Sequence, residues 1–252
     1  MNSMVTKSVS GLTLVHLAAQ KLGLPHVLDF IYPPRCLLCG ANADQCDRLL
    51  CMACIDRINT LDEPFCLNCG DVIASGTACP ECSPEDTMPV FALGSYVDPL
   101  RAGLHEFKYH GYHAVGRFLG SRLLAVHGER LAALGLDFAV PIPLHSLREK
   151  RRGFNQAGIL SDIIGNGLQL PVDDKSLWQF RKTRDQARLD PAGRWKNITG
   201  AFAVSGDNLD GKRVALIDDV ITTGATMQEA RRTLADAGAI PVCGIVLAAA
   251  GR

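Results

Sequence analysis

The chain carries no net charge: 26 Lys and Arg stand against 26 Asp and Glu in 252 residues. A balanced total removes any global electrostatic case for a polyanion partner, so nucleic-acid contact would have to come from local patches. Long apolar runs are missing as well. Ser10 to Ile31 is apolar in places, but Lys21, His26 and Asp29 interrupt it and Pro25 breaks it, which argues against both a membrane span and a secretory signal. Its apolar positions, Leu12, Val15, Ala19 and Leu22, then Leu24, Val27, Leu28 and Ile31, fit a short amphipathic lead-in over residues 1–31 that packs on the body of the protein. There is no low-complexity tract, and no repeat apart from a duplicated cysteine spacing.

That spacing is the first positive signal. Cysteines pair as Cys36 and Cys39, Cys51 and Cys54, Cys66 and Cys69, and Cys79 and Cys82, each pair with two residues between. A C-x-x-C turn places two thiolates on one side of a tight loop, and two such turns supply the four sulfurs of a structural zinc site. Short linkers favour joining the first pair to the second and the third to the fourth, although a crossed pairing also satisfies the spacing. Disulfides are the alternative, and they need an oxidising compartment. A redox centre of the thioredoxin type would need only one such pair. Cys243 lies in the apolar run Ile240 to Ala250 and reads as a small buried hydrophobe, whereas Cys46 has no assignment.

The second signal is Val214 to Thr226, where an apolar run ends in two carboxylates and a small, hydroxyl-rich turn. Val214 to Ile217 is short and β-branched, as in a buried strand of a parallel sheet, and its end delivers Asp218 and Asp219 to the sheet edge. Thr222, Thr223, Gly224, Ala225 and Thr226 precede a helical pattern of Met227, Ala230, Leu234 and Ala237. Small residues there leave backbone N–H groups and hydroxyls to surround a phosphate at a helix N-terminus. Ionised carboxylates only accept hydrogen bonds, and vicinal sugar hydroxyls donate them, so a phosphorylated ribose meets both halves of the segment.

Between these signals the chain reads as one α/β domain over residues 90–252, joined by a linker at Pro84 to Pro89 to a zinc module over 32–84. A module of that size needs metal in place of a core. Phe91 to Val97 reads as a strand, Pro99 to His110 as a helix with Leu100, Leu104 and Phe107 on one face, and Gly116 to Leu134 as a second helix. Phe138 to Leu144 reads as a strand with a rigid Pro141-Ile142-Pro143 end, of the kind beside which open α/β sheets bind ligands.

Two cationic stretches follow. Arg148-Glu149-Lys150-Arg151-Arg152-Gly153 is the only dense basic run, and Lys150, Arg151, Arg152 and Gly153 suit a pyrophosphate; Asn155 caps a helix that starts near Gln156 and runs through Leu160 and Ile164. Arg181 to Asn197 is a long polar connection with the character of a lid, with Thr183, Gln186, Arg188 and Arg194 facing a ligand when it closes. A solvated basic face and a surface loop are the plainer readings of these two stretches.

Val214 to Thr226 resembles the phosphoribosyl pyrophosphate (PRPP) motif of type I phosphoribosyltransferases. The order of C-x-x-C pairs, P-I-P-L-H, R-R-G-F-N-Q, T-x-x-Q-x-x-L, R-x-x-N and L-I-D-D-V-I-T-T-G-A-T resembles the ComF family over nearly all of the chain after Ile31. The resemblance implies a double zinc ribbon joined to a type I phosphoribosyltransferase-like α/β domain, a parallel sheet with flanking helices. Structural Zn2+, Mg2+ bound with PRPP, a cytoplasmic location and a role in natural competence are implied too. Asp218 and Asp219 would hold the ribose, and in an active transferase would also be its catalytic residues. Three functions stay open: a PRPP-binding competence protein that contacts single-stranded DNA, an active transferase with an unidentified acceptor base, and a scaffold with a regulatory PRPP site whose ribbons bind a partner such as a helicase.

Overall fold

A computed structural model describes residues 33–45, 48–74, 77–145, 149, 153–181, 183 and 191–251. The chain divides into two compact units, one ending at Ile58 and the other beginning at Asn59. The described part of the first unit is short. It holds helix α1 (Met52–Asp56), and its buried residues include Cys36, Leu50, Cys51, Cys54 and Ile55.

The second unit is built on a five-stranded sheet of order β1-β2-β7-β6-β3, from strands β1 (Phe65–Cys66), β2 (Pro89–Ser95), β3 (Phe138–Pro141), β6 (Arg213–Ile221) and β7 (Ile240–Ala249). All neighbours run parallel except β1, which pairs antiparallel with β2. The central strands are buried on both faces, so they read as continuous apolar runs: Val214 to Ile217 and Cys243 to Ala249 are all buried. Cys243 is one of these, and burial pushes its thiol up to about 12, which makes it an inert core residue.

Helices cover the sheet. These are α2 (Leu100–His110), α3 (His113–Ala132), α4 (Gln156–Leu168), α5 (Pro191–Ile198) and α6 (Ala225–Asp236). Val140, Leu216 and Val246 share a core with Met227, Ala230 and Leu234 of α6. The residues alternating with them, Ala139, Ile217 and Ile245, are equally buried, and α3 and α4 pack on the sheet as well. The expected helix faces are present: Leu100, Leu104 and Phe107 are buried on α2, and Asn155 caps α4 by accepting from the Ala157 N–H at 3.1 Å. Among the described residues no helix is long and apolar enough to cross a membrane.

Three local expectations change. β6 does not end at Ile217 but runs to Ile221, because β7 keeps pairing with it as far as Ile221 and Ala249. β3 stops at Pro141, since Pro141 and Pro143 lack N–H donors and only the Ile142 N–H between them reaches the Ile217 carbonyl, at 2.8 Å. The connection from Arg181 to Asn197 is not structureless throughout: from Pro191 onward it is α5, with Pro191 in the first turn, where a missing N–H costs nothing. The antiparallel pair β4 (Leu177–Gln179) and β5 (Phe202–Val204) had no signal in the sequence.

Asp173 fastens that pair to the sheet. Its backbone N–H donates to the Ala139 carbonyl at 2.9 Å. Its carboxylate accepts from the Lys175 and Ser176 N–H groups at 3.0 and 2.8 Å, from the Ser176 hydroxyl at 2.7 Å and from Asn208. Burial alone would raise this carboxyl, but the donors outweigh it and hold Asp173 below its ordinary range. A depressed folded-state value gives stability that is present above the unfolded pKa and lost as pH falls through the folded one. Asp173→Ala is therefore expected to cost about 1–3 kcal/mol in urea unfolding at pH 7. The gap to the unchanged protein should shrink once the pH falls below the normal carboxylate range.

Candidate functional site

The site forms where the parallel strands end. The backbone leaving β2 presents Tyr96, that leaving β3 presents Ile142, Pro143 and Leu144, and β6 with its following turn presents Asp218, Asp219, Val220, Thr222 and Thr226. Together with α2, α4 and the β4–β5 pair they enclose an open cleft of about 370 Å3. Clefts at the carboxyl ends of open α/β sheets are the usual ligand sites of such folds.

Because β6 continues past the acids, both are held in the strand and line the cleft at its carboxyl end. Asp219 is buried and pairs with Lys108 of α2, Nζ to Oδ1 at 2.9 Å. Burial opposes the Lys108 charge, but Asp219, helped by Asp218, overcomes it and holds the ammonium above its ordinary pKa. Asp218 is half-buried and accepts from the Asp219 N–H at 2.8 Å, which fixes one carboxylate against the backbone of the other. The turn that follows reaches α6 through Gly224, whose φ of +76° is a left-handed conformation that favours glycine. Gly224 caps α6 without a side-chain hydrogen bond.

Of the other residues singled out in the sequence, Thr222, Thr226 and Thr183 line the cleft. Thr183 is buried and its hydroxyl accepts from Gln179 at 3.2 Å. Gly224 and Ala225 are buried under the turn, Ala225 in the core, and Thr223 is half-buried away from the lining. Gly153 is exposed with φ of +85°. Arg148, Lys150, Arg151, Arg152, Gln186, Arg188 and Cys46 lie outside the described residues, as does the lead-in over 1–31, and Arg194 is described only as a backbone position of α5.

Lys108 was missed in the sequence, although it left a trace there. It follows Leu104 by four residues on the stripe that α2 buries, an unusual place for a cation without a partner. Gln156 supports it from α4, donating from Nε2 to the Lys108 carbonyl at 3.4 Å. Asn155 Nδ2 donates to the Ile142 carbonyl at 3.1 Å and so holds the exit of β3.

The cysteines gather into two clusters, Cys36, Cys39, Cys51 and Cys54 in the first unit and Cys66, Cys69, Cys79 and Cys82 in the second. This is the uncrossed pairing. Zinc–sulfur bonds near 2.3 Å in a tetrahedron place sulfurs about 3.8 Å apart. The observed separations are 3.6 Å for Cys39 and Cys51, 3.4 Å for Cys69 and Cys79, and 3.9 Å for Cys66 and Cys82. In two knuckles the residue after the second cysteine is a glycine at positive φ, Gly40 and Gly70, whose N–H closes the turn onto Cys36 O or Cys66 O at 2.8 and 2.9 Å. All-thiolate sets of this shape suit structural zinc.

A family model described as a double zinc ribbon domain matches residues 27–83. Competence protein F of Haemophilus influenzae is 33% identical over 212 residues, 81% of this chain and 92% of that protein. The chain belongs to the ComF family. DNA utilization protein YhgH of Escherichia coli is 29% identical over 83% of this chain and 94% of its own length. Competence protein ComFC of Bacillus subtilis is 26% identical over 81% and 89% respectively.

The Lys108–Asp219 pair yields a test of the cleft. Lys108→Met should destabilise the ComF chain by about 1–3 kcal/mol, less than a fully buried pair because the cleft opens to water. Adding Asp219→Asn should recover part of that loss. Full additivity of the two substitutions in a double-mutant cycle would mean that the pair contributes nothing.

Proposed function

We infer that this ComF protein binds PRPP together with Mg2+ in the cleft at the carboxyl end of β6 and serves the handling of incoming DNA, with single-stranded DNA as a contact. The observation that carries the ligand is the joining, in one cleft, of Asp218, Asp219, Thr222 and Thr226 with the cation Lys108. The carboxylates accept from ribose hydroxyls, and the turn from Thr222 to Thr226 at the start of α6 receives the 5-phosphate. Lys108, with Lys150, Arg151 and Arg152 of the basic run, supplies positive charge for the pyrophosphate. Gly153 gives that run its turn, and Gln186, Arg188 and Arg194 join Thr183 in closing the lid. Mg2+ prefers oxygen ligands, which the two carboxylates and the ligand both offer, and it would neutralise the diphosphate charge.

The DNA side of the reading is supported by the relatives, which are named for competence and for DNA utilization. Lys and Arg contacts to phosphate would be indifferent to sequence and weakened by salt. A cytoplasmic place suits clusters of reduced thiolates. One observation favours transfer as a second reading: Ile142, Ile198 and Phe202 line the same cleft and give an acceptor base an apolar surface. In that case Asp218 and Asp219 would also offset the positive charge that develops on the ribose as pyrophosphate leaves.

Calorimetry of the full chain with PRPP and Mg2+ tests the ligand. Asp218→Asn and Asp219→Asn should each weaken binding by about tenfold to a hundredfold, the worth of a hydrogen bond to a charged group. No binding by the unchanged protein, or equal binding by both variants, defeats the reading. Pyrophosphate release with one member of a base panel would establish transfer. Single-strand binding should fall steeply between about 50 and 200 mM salt.

A further inference from the structure

The turn that carries the candidate phosphate site rests on the second cysteine cluster. A Cβ added at Gly224 would lie 3.2 Å from Leu67 Cδ1 and 3.5 Å from the Leu67 carbonyl oxygen. Leu67 is the first residue between Cys66 and Cys69, so the contact comes from inside a knuckle. The knuckle backbone is held at several points: the Leu67 N–H donates to Met88 O at 2.9 Å, the Cys66 N–H to Asp71 O at 2.8 Å and the Gly70 N–H to Cys66 O at 2.9 Å. The Leu67 side chain is buried in one core with Ala225 and Met227, the first and third residues of α6.

α6 is tied to the far side of the same ribbon. The Arg231 guanidinium donates to the carbonyls of Glu85, Asp86 and Thr87, on the segment that leaves Cys82. Among the described residues the ribbon has little core of its own: one cluster comprises Cys66, Ile73 and Cys79, with Cys82 packed against it. A module with so few buried side chains depends on its metal for a fixed shape. Leu67 sits between two of the four cysteines of that cluster, Cys66 and Cys69.

We propose that the second cysteine cluster braces the turn from Thr222 to Thr226, with Leu67 as the positioning residue, so that the state of this cluster sets the affinity of the turn for phosphate and the state of the Cys36 cluster does not. This rests on the PRPP reading for its ligand but not for its geometry. When the brace is intact, Gly224 has one position and the start of α6 is presented in one orientation. When it opens, the turn gains alternatives that a ligand must pay to remove.

Four variants of the full chain separate the possibilities: Leu67→Ala, Leu67→Met, Cys69→Ser and Cys39→Ser. Amide hydrogen exchange over residues 222–228 without ligand, zinc content, and PRPP calorimetry are read on each. Leu67→Ala is expected to keep both zinc ions yet speed exchange in the turn and weaken PRPP, each by about tenfold, and Leu67→Met to restore both. Cys69→Ser should lose zinc and loosen the turn in the same way, while Cys39→Ser loses zinc and leaves the turn unchanged. Unchanged exchange in Leu67→Ala overturns the brace, as does equal loosening by Cys39→Ser. If the unchanged protein fails to bind PRPP, the ligand reading falls and the exchange measurement still decides the brace.

Discussion

The parallel pairing of β6 with β7, continued to Ile221 and Ala249, is the constraint on which the second unit depends. Both strands are buried on both faces, so the chain must cover each face with helices, and the helices in turn decide what stands at the strand ends. The length of the pairing also shapes the chemistry. Had β6 stopped at Ile217, its two acids would have sat on a loop with freedom to point together. Held in the ladder, they take different partners: the buried Asp219 pairs with Lys108, and the half-buried Asp218 accepts from the Asp219 N–H. A rigid strand holds a carboxylate more closely than a loop does, at the cost of bringing a charge close to an apolar core.

That cost explains much of the surrounding design. A carboxylate as buried as Asp219 needs a partner, and Lys108 meets the need only if the end of α2 is itself fixed. The fixing is done by Phe154, Asn155 and Gln156. Phe154 lies 4.5 Å from the His113 ring and 6.0 Å from Phe107, Asn155 caps α4 while tying down the exit of β3, and Gln156 reaches the Lys108 carbonyl. Gly116 belongs to the same packing, because an added Cβ would meet the Phe107 ring at 2.6 Å. The described part of the motif, Phe154, Asn155 and Gln156, is thus structural.

Legibility in the sequence followed the range of the interactions involved. Elements fixed by local pattern were readable: the apolar run of β6, the stripe of α2, the Asn155 cap, and the C-x-x-C turns with their uncrossed pairing. What could not be read depends on distant partners. The end of β6 is set by β7, the β4–β5 pair is held by Asp173 and Asn208, and the ion pair of Lys108 joins residues 111 positions apart in the chain, from 108 to 219. Spacing within one segment carries no information about such contacts, although a lysine on a buried helical stripe asks for one.

The base of the candidate lid is fixed in a similar way. The Arg181 guanidinium donates to the Asn197 and Thr199 carbonyls at 3.0 and 2.6 Å, just where α5 ends. One residue later the Gly200 N–H donates to Glu229 Oε1 at 2.6 Å, and Glu229 is buried on α6 beside Arg232. The two ends of the 181–199 segment are therefore clamped to each other and then to the helix whose first turn leaves Gly224. A ligand that engages both the lid and that turn acts on elements already joined through Glu229.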